Sequence, residues 1–239
     1  MEATKSNQRF IILSQYRAGS TMLCRSLDKH PELTVAQEIL HLKHKKMIEW
    51  RKPIVEKIGH FTQNKEFVEL AFERINGFKI MLPQLPRDSE IWNYLISIPD
   101  LKIIFLERIN VLESMISFKA SIISDVWQKE HEEFHNINPF YIDPKDLECE
   151  LENLIEMTNY YSNLFRQKDM LCLQYEKLIY NWKFEIANVQ KFIGVEPISL
   201  DQDLKKLTNN HKFLVINYKE LMHHFKKTKF KYLFDVKLQ

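Results

Sequence analysis

Glycine, cysteine and long apolar runs are all scarce in this sequence, and each shortage narrows the class of protein. Only four glycines occur in 239 residues, so we expect the turns to use Asn, Asp, Ser and Pro. The three cysteines, Cys24, Cys149 and Cys172, are odd in number and widely spaced, which excludes a disulfide framework and a zinc site. We therefore expect reduced thiols in a reducing compartment. No apolar run approaches the roughly 20 residues that a membrane-spanning helix needs.

The charge and the length of the chain are those of an ordinary globular protein. The formal net charge is +2, which predicts no strong general attraction to nucleic acid. The length allows one α/β domain over residues 1–239, with residues 1–8 as an N-terminal tail. The apolar stretch at 10–13 is too short for a secretory signal, so the expected location is the cytoplasm.

Short apolar segments alternate with segments of helical period along much of the chain. Strands are predicted at Arg9–Ser14, Leu33–Ala36, Gly77–Met81, Leu101–Leu106 and Met170–Gln174. Helices are predicted at Ser20–Lys29, His41–Ile58, Lys65–Ile75, Ser89–Ile98 and Val111–Ser124. This alternation predicts an α/β fold in three layers, with a central parallel sheet of about five strands and helices on both faces. Ligand sites in such sheets lie at the carboxyl ends of the strands.

The loop after the first predicted strand has the composition of an anion-binding site. It carries Arg17, Ala18 and Gly19, and a predicted helix begins at Ser20 and Thr21. Backbone N–H groups and the helix dipole favour an anion there, and Gly19 allows close approach of the backbone. Ser20 and Thr21 are predicted to cap the helix and to donate hydroxyls to a phosphate. The GxxxxGK[ST] spacing is absent, so the loop is not a Walker A motif.

The segment Tyr16–Thr21 resembles the 5′-phosphosulfate loop of sulfotransferases that use 3′-phosphoadenosine 5′-phosphosulfate (PAPS). It is most similar to the bacterial carbohydrate branch, which modifies nodulation factors and trehalose glycolipids. Further stretches match in the same order: His30-Pro31, Glu38, Gly77–Met81, the segment from Leu106 to Ser117, Tyr175–Leu178 and a lysine-rich C-terminal segment. The resemblance covers roughly residues 9–235 and implies a P-loop NTPase-like sulfotransferase fold.

The resemblance implies two anion sites for PAPS, and it implies no metal. The residues from Arg17 to Thr21 would hold the 5′-phosphosulfate. Because a guanidinium does not give up its proton, Arg17 would stabilise charge on the leaving phosphate without acting as an acid. Tyr175 would pack near the nucleotide.

The second implied site holds the 3′-phosphate. Arg108 directly follows a predicted strand, and Ser117 lies on the next helix, so the two side chains could grip one phosphate together. Ser114 is the alternative serine. Lys205 or Lys206 would close over the same phosphate. Without a ligand role, Arg108 would pair only with Glu107 or with a helix end.

Transfer to a hydroxyl also requires a base. In the branch that acts on phenols and steroids, a histidine of a Lys-x-His-Leu-Pro segment has that role, but Met81 stands at its place here. Glu38 matches the glutamate of the bacterial branch and is the candidate base; otherwise it is a solvated or capping residue. Lys79 would contact the sulfonate or the 5′-phosphate, or else be a solvated edge charge.

The acceptor is expected to be a carbohydrate or a glycolipid. The irregular stretch 125–145 is a candidate substrate lid. Its aromatic residues could stack on sugar faces or pack against an apolar acceptor: Trp127, Phe134, Phe140 and Tyr141. Dimers are common among relatives, so a homodimer is compatible with the resemblance. The alternatives are a nucleotide kinase, disfavoured by the missing Walker lysine, and a non-catalytic nucleotide-binding module on the same fold.

Two charged stretches outside these motifs are interpreted as solvated surface. The segment 143–166 is predicted to be an amphipathic helix whose acidic residues form a solvated face: Glu148, Glu150, Glu152 and Glu156. The basic run near the C-terminus is interpreted as a solvated helix end: Lys226, Lys227, Lys229 and Lys231. If functional, that run would attract an anionic glycan or a membrane surface.

Overall fold

Over the residues that the structure describes, the chain forms one parallel sheet of five strands flanked by helices. The structure is a computed structural model that describes residues 8–41, 45–58, 63–125, 127, 137–202 and 211–234. The strands are β1 (Arg9–Ser14), β2 (Val35–Ala36), β3 (Gly77–Met81), β4 (Leu101–Glu107) and β5 (Met170–Gln174). Their order across the sheet is β2-β3-β1-β4-β5, which confirms the predicted α/β class.

Each predicted helix is present, and several end earlier than predicted, whereas no bounds were predicted for the three helices that follow the last strand. They are α1 (Ser20–Leu27), α2 (Lys45–Ile58), α3 (Lys65–Phe72), α4 (Glu90–Ser97), α5 (Val111–Ser124), α6 (Pro144–Leu164), α7 (Tyr175–Tyr180), α8 (Trp182–Ile193) and α9 (Tyr218–Phe225). α8 ends at Gly194, whose φ of 98° is left-handed. Within the described ranges, no helix is both long enough and apolar enough to cross a membrane.

The central strand β1 explains why the sheet needs cover on both faces. Its residues from Phe10 to Leu13 are fully buried, with no alternation of polar and apolar positions. β3 pairs along one edge, with Ser14 opposite Met81, and β4 along the other, with Ser14 opposite Leu106. A continuous apolar run of this kind is stable only when both of its faces pack against other elements. The loop that leaves β1 therefore starts from a rigid, buried strand end.

The chain divides into two compact units. The first comprises Met1–Glu107 and Thr158–Asp203 and contains the whole sheet. The second comprises Arg108–Met157 and Leu204–Gln239, and its buried apolar cluster joins α5, α6 and α9 around residues such as Leu147 and Phe225. The expectation of one domain over residues 1–239 stays a prediction.

The acidic face of α6 is at least partly exposed, as predicted, and three of its four glutamates also form ion pairs. Glu148 contacts His224 at 2.7 Å, and Glu152 contacts Lys229 at 2.7 Å. Glu150 also binds Lys119 of α5 at 2.7 Å. Partly exposed pairs are individually worth about 0–1 kcal/mol. They favour one alignment of α6, α5 and the C-terminal segment within the second unit.

Gly77 at the start of β3 leads to a prediction about stability. A Cβ atom there would lie only 2.4 Å from the ring of Phe10, which is fully buried in β1. Because that ring cannot move out of the sheet, Gly77→Ala should destabilise the fold by about 1–3 kcal/mol. Urea denaturation measures the change.

A double variant tests the cause. Phe10→Leu leaves room for the added methyl group, so Gly77→Ala should cost less in that background than in the native protein. Equal costs in the two backgrounds would show that crowding by Phe10 is not the reason.

Candidate active site

The loop between β1 and α1 has an unusual backbone. Arg17 has a φ of 54° and Gly19 a φ of 84°, so two residues close together adopt the left-handed conformation. For arginine this conformation is strained, and strain of this kind is typical of functional loops. Left-handed residues in tight turns form backbone concavities that bind anions. The loop therefore has a backbone of the kind that binds anions, and the 5′-phosphosulfate stays a prediction.

Gly19 is required at its position for a second reason. A Cβ atom on it would lie 2.9 Å from a ring carbon of Tyr175. Tyr175 is the first residue of α7 and directly follows β5, the last strand along the chain. Its ring therefore lies against a loop that is more than 150 residues earlier in the sequence. The tyrosine that was expected near the nucleotide thus lies against the candidate phosphosulfate loop.

The two hydroxyl residues after Gly19 do not cap α1, which corrects the prediction for Ser20 and Thr21. Gly19 itself is the N-cap residue and makes no side-chain cap. The Ser20 hydroxyl donates to the sulfur of Met81 at 3.7 Å. The Thr21 hydroxyl accepts a hydrogen bond of 2.6 Å from Nζ of Lys79. Because a hydroxyl that accepts still has its own proton to donate, Thr21 remains able to bind an anion.

Lys79 and Glu38 form a buried ion pair. Nζ of Lys79 lies 2.9 Å from Oε1 of Glu38, with 3% of the lysine side chain and 18% of the glutamate side chain exposed. Lys79 lies in the middle of β3, and Glu38 comes two residues after β2. A buried ammonium needs partners to offset its lost hydration, and Thr21 and Glu38 are two of them. Two residues that were predicted separately are therefore in direct contact.

The electrostatics around this pair affect two neighbouring side chains. Burial, together with the Glu38 carboxylate, raises the pKa of the Tyr16 hydroxyl. Tyr16 therefore keeps its proton to a higher pH than an ordinary tyrosine and is able to donate a hydrogen bond. Burial raises the pKa of the Cys24 thiol to about 12, and the nearby Lys79 ammonium only partly opposes this rise. Cys24 is consequently a neutral packing residue. The sequence analysis assigned no individual role to Tyr16.

The second predicted anion site lies in the other unit. Arg108 is the residue that follows β4, and its side chain is buried. Its guanidinium forms a hydrogen-bonded ion pair with Glu113, in the first turn of α5. Ser117, also buried, follows Glu113 by one helical turn and so lies on the same side of α5. Arg108 thus pairs with the N-terminal end of a helix, as one alternative expected, and the residue it contacts there is Glu113.

Other predicted site elements fall outside the described residues or elsewhere in the fold. Lys205 and Lys206 lie outside the described residues, as do 126 and 128–136 of the candidate lid. Phe140 is buried in the apolar cluster of the second unit, so the idea that it stacks on a sugar is wrong. Tyr141 is exposed. No group of three or more potential metal ligands is placed together in the part of the chain that the structure covers.

Solved structures with a similar fold include two sulfotransferases. A sulfotransferase from Alicyclobacillus acidocaldarius aligns with a TM-score of 0.51 at 12% identity, over 92% of this chain and 95% of that one. The sulfotransferase domain of the Synechococcus PCC 7002 olefin synthase aligns with a TM-score of 0.50 at 16% identity, over 88% of this chain and 81% of that one. No protein-family profile and no curated protein sequence matches the chain. The predicted sulfotransferase fold is confirmed, and identities this low establish the fold alone.

The buried pair generates a prediction about coupling. Glu38→Gln leaves the buried ammonium without its counter-charge and should cost about 3 kcal/mol of unfolding free energy. Replacing both partners, as Glu38→Gln with Lys79→Met, should cost less than the sum of the single changes by at least about 1 kcal/mol. Urea denaturation of the four proteins gives the coupling energy.

An exposed pair in the same unit is the matched control. Lys57 and Glu73 lie 3.4 Å apart with more than half of each side chain exposed. Their coupling energy should be below about 0.5 kcal/mol. If the losses of unfolding free energy from Glu38→Gln and Lys79→Met simply add, the two side chains do not stabilise each other.

Proposed function

We propose that this protein is a PAPS-dependent sulfotransferase that transfers a sulfuryl group to a hydroxyl of a carbohydrate or glycolipid. The observation that carries the proposal is the buried contact of Thr21, Lys79 and Glu38. It links an anion-binding loop after β1 to a carboxylate after β2. Sulfuryl transfer needs these two elements next to each other, an anion site for the donor and a base for the acceptor.

The donor is assigned to the two predicted anion sites. Arg17 and the residues from Ala18 to Thr21 bind the 5′-phosphosulfate, supported by the left-handed backbone of the loop. Arg108 and Ser117 bind the 3′-phosphate, with Lys205 or Lys206 closing over it. Because Arg108 already contacts Glu113, the phosphate shares or replaces that carboxylate as the partner of the guanidinium. No metal takes part in this scheme.

The reaction is an in-line displacement at sulfur. The acceptor oxygen forms a bond to sulfur while the bond from sulfur to the 5′-phosphate oxygen breaks, giving a sulfate ester and 3′-phosphoadenosine 5′-phosphate. Glu38 takes the proton of the acceptor hydroxyl, and Lys79 stabilises its charged form. Arg17 stabilises the negative charge that develops on the leaving phosphate. Positioning and charge stabilisation supply most of the catalysis in such a loose transition state.

The acceptor and the location are assigned on separate grounds. The carbohydrate acceptor rests on the resemblance of Glu38 and its loop to the bacterial carbohydrate branch. We assign the reaction to the cytoplasm because Cys24, Cys149 and Cys172 are all free thiols, as in reducing compartments. A homodimer is compatible with the resemblance.

Nucleotide binding tests the donor assignment. Calorimetry should show that 3′-phosphoadenosine 5′-phosphate binds more tightly than 5′-AMP, because only the former has the 3′-phosphate. Arg108→Ala should weaken binding of the former by about 10- to 100-fold, the value of a hydrogen bond to a charged group. The same change should leave 5′-AMP affinity nearly unaltered.

Arg166→Ala, at an exposed arginine of the other unit, is the control and should change neither affinity. Equal or tighter binding of ATP would contradict the assignment and favour a nucleotide kinase. Loss of affinity for both nucleotides in Arg108→Ala would mean that Arg108 does not recognise the 3′-phosphate.

Turnover tests the base. Glu38→Gln keeps the shape of the side chain but cannot accept a proton, so sulfuryl transfer should fall by about 100-fold or more while nucleotide binding is retained. Glu66→Gln, at an exposed residue in the first turn of α3, is the isosteric control. Full turnover in Glu38→Gln would show that another group is the base. Nucleotide binding without any turnover in the native protein would favour a non-catalytic module.

A further inference from the structure

The C-terminal segment 211–234 is strongly basic. It contains six lysines and one glutamate, so its net charge is 6 − 1 = +5 with its histidines neutral. All six lysines are exposed: Lys212, Lys219, Lys226, Lys227, Lys229 and Lys231. The whole chain has a net charge of only +2, so this segment concentrates positive charge that the rest of the protein offsets.

The same segment exposes large apolar side chains. Phe213 is 77% exposed and Ile216 is 70% exposed. The two residues between them, Leu214 and Val215, pack in the apolar cluster of the second unit. Met222 and Tyr232 are also exposed. Single exposed apolar residues are common, but several in one short basic segment are not explained by core packing.

Backbone pairing brings part of this apolar surface together. Phe140 and Val215 form a parallel bridge, with the amide of Ile216 donating to the carbonyl of Phe140 at 2.9 Å. Tyr141 and Ile216 are the next residues on each side, so they lie next to each other and both are exposed. The hydroxyl of Tyr141 donates to Glu220 of α9 at 3.2 Å, which connects these side chains to that helix.

Helix α9 continues the surface with both kinds of side chain. It buries Leu221 and Phe225, and its opposite side exposes Lys219 and Met222. Helical spacing puts Lys226, the C-cap residue, on the side of Lys219 and Met222. Two lysines and one methionine therefore share one exposed side of the helix.

We propose that this surface binds an anionic lipid bilayer. It consists of the exposed residues of 211–234 together with Tyr141, and we call it the C-terminal basic surface. Lysines are attracted to anionic headgroups, whereas the Phe, Ile and Met side chains enter the boundary between headgroups and acyl chains. Tyrosine prefers that same boundary. A nucleic acid has negative charge for the lysines but no apolar layer for Phe213 and Ile216. A lipid surface has both, so it fits the exposed lysines and apolar side chains better.

Vesicle sedimentation tests the proposal on the full chain. The protein should sediment with vesicles of phosphatidylcholine and phosphatidylglycerol, and should not sediment with phosphatidylcholine alone. High salt should weaken binding, because it screens the lysines. Lys226→Gln with Lys227→Gln should weaken binding by about 10- to 30-fold, since each lysine near an anionic surface contributes roughly 1 kcal/mol.

The apolar contribution has its own variant and a matched control. Phe213→Ser with Ile216→Ser should weaken vesicle binding by about tenfold, and the residual binding should remain sensitive to salt. The control is Tyr180→Ser with Phe184→Ser, at the last residue of α7 and a residue of α8 that are 93% and 58% exposed. The segment 175–193 has three lysines and two glutamates, a net charge of 3 − 2 = +1, so this control should leave binding unchanged.

Three outcomes would overturn the proposal. The native protein could fail to sediment with the anionic vesicles. Phe213→Ser with Ile216→Ser could leave vesicle binding unchanged, which would reduce the surface to nonspecific charge attraction. The same variant could instead convert a dimer into a monomer in light scattering without affecting vesicle binding, which would assign the apolar residues to a second copy of the chain. Each test is independent of sulfuryl transfer, so it does not depend on the proposed function.

Discussion

The ammonium of Lys79 is the charge on which the arrangement of the first unit depends. It is almost completely removed from water, and it binds Thr21 of the loop after β1 and Glu38 after β2. A single side chain of β3 thus connects the ends of two neighbouring segments. Removing a charge from water in this way is tolerated only where its partners are fixed, so the loop and the carboxylate constrain each other.

The sequence predicted that Lys79 either contacts the sulfonate or the 5′-phosphate or is a solvated edge charge, and its burial contradicts the solvated alternative. Its contact with Glu38 adds a role that the sequence did not suggest. A lysine that holds Glu38 charged and correctly oriented supports a base, whereas a lysine that binds the sulfonate stabilises the transferred group. The hydrogen bond to Thr21 joins these roles, because Thr21 belongs to the loop that is proposed to bind the donor. An anionic donor in the loop would draw on the same ammonium, and donor binding would then alter the environment of the base.

Much of the fold could be predicted from the sequence because short apolar runs alternate with helical periods. β1, β3 and β5 have the predicted bounds, while β2 begins later than predicted and β4 includes Glu107. The contacts of the candidate site could not be predicted from the sequence, since they join residues far apart in the chain. The pairing of Glu38 with Lys79 and that of Glu148 with His224 depend on how β2 meets β3 and how α6 meets α9. Local patterns do not encode those alignments, and Ser20 and Thr21 were misassigned as caps because Gly19 took that place.

The contact between Gly19 and Tyr175 has a consequence for how the protein is made. The loop begins near the N-terminus, whereas the ring that lies against it arrives only after β5. During synthesis on the ribosome, β1 emerges long before that ring, so the loop cannot reach its final shape until the start of α7 has left the exit tunnel. Contacts of such high sequence separation form slowly. The loop after β1 is therefore among the last parts of the first unit to mature, and a chain that ends before Tyr175 lacks the ring that lies against it.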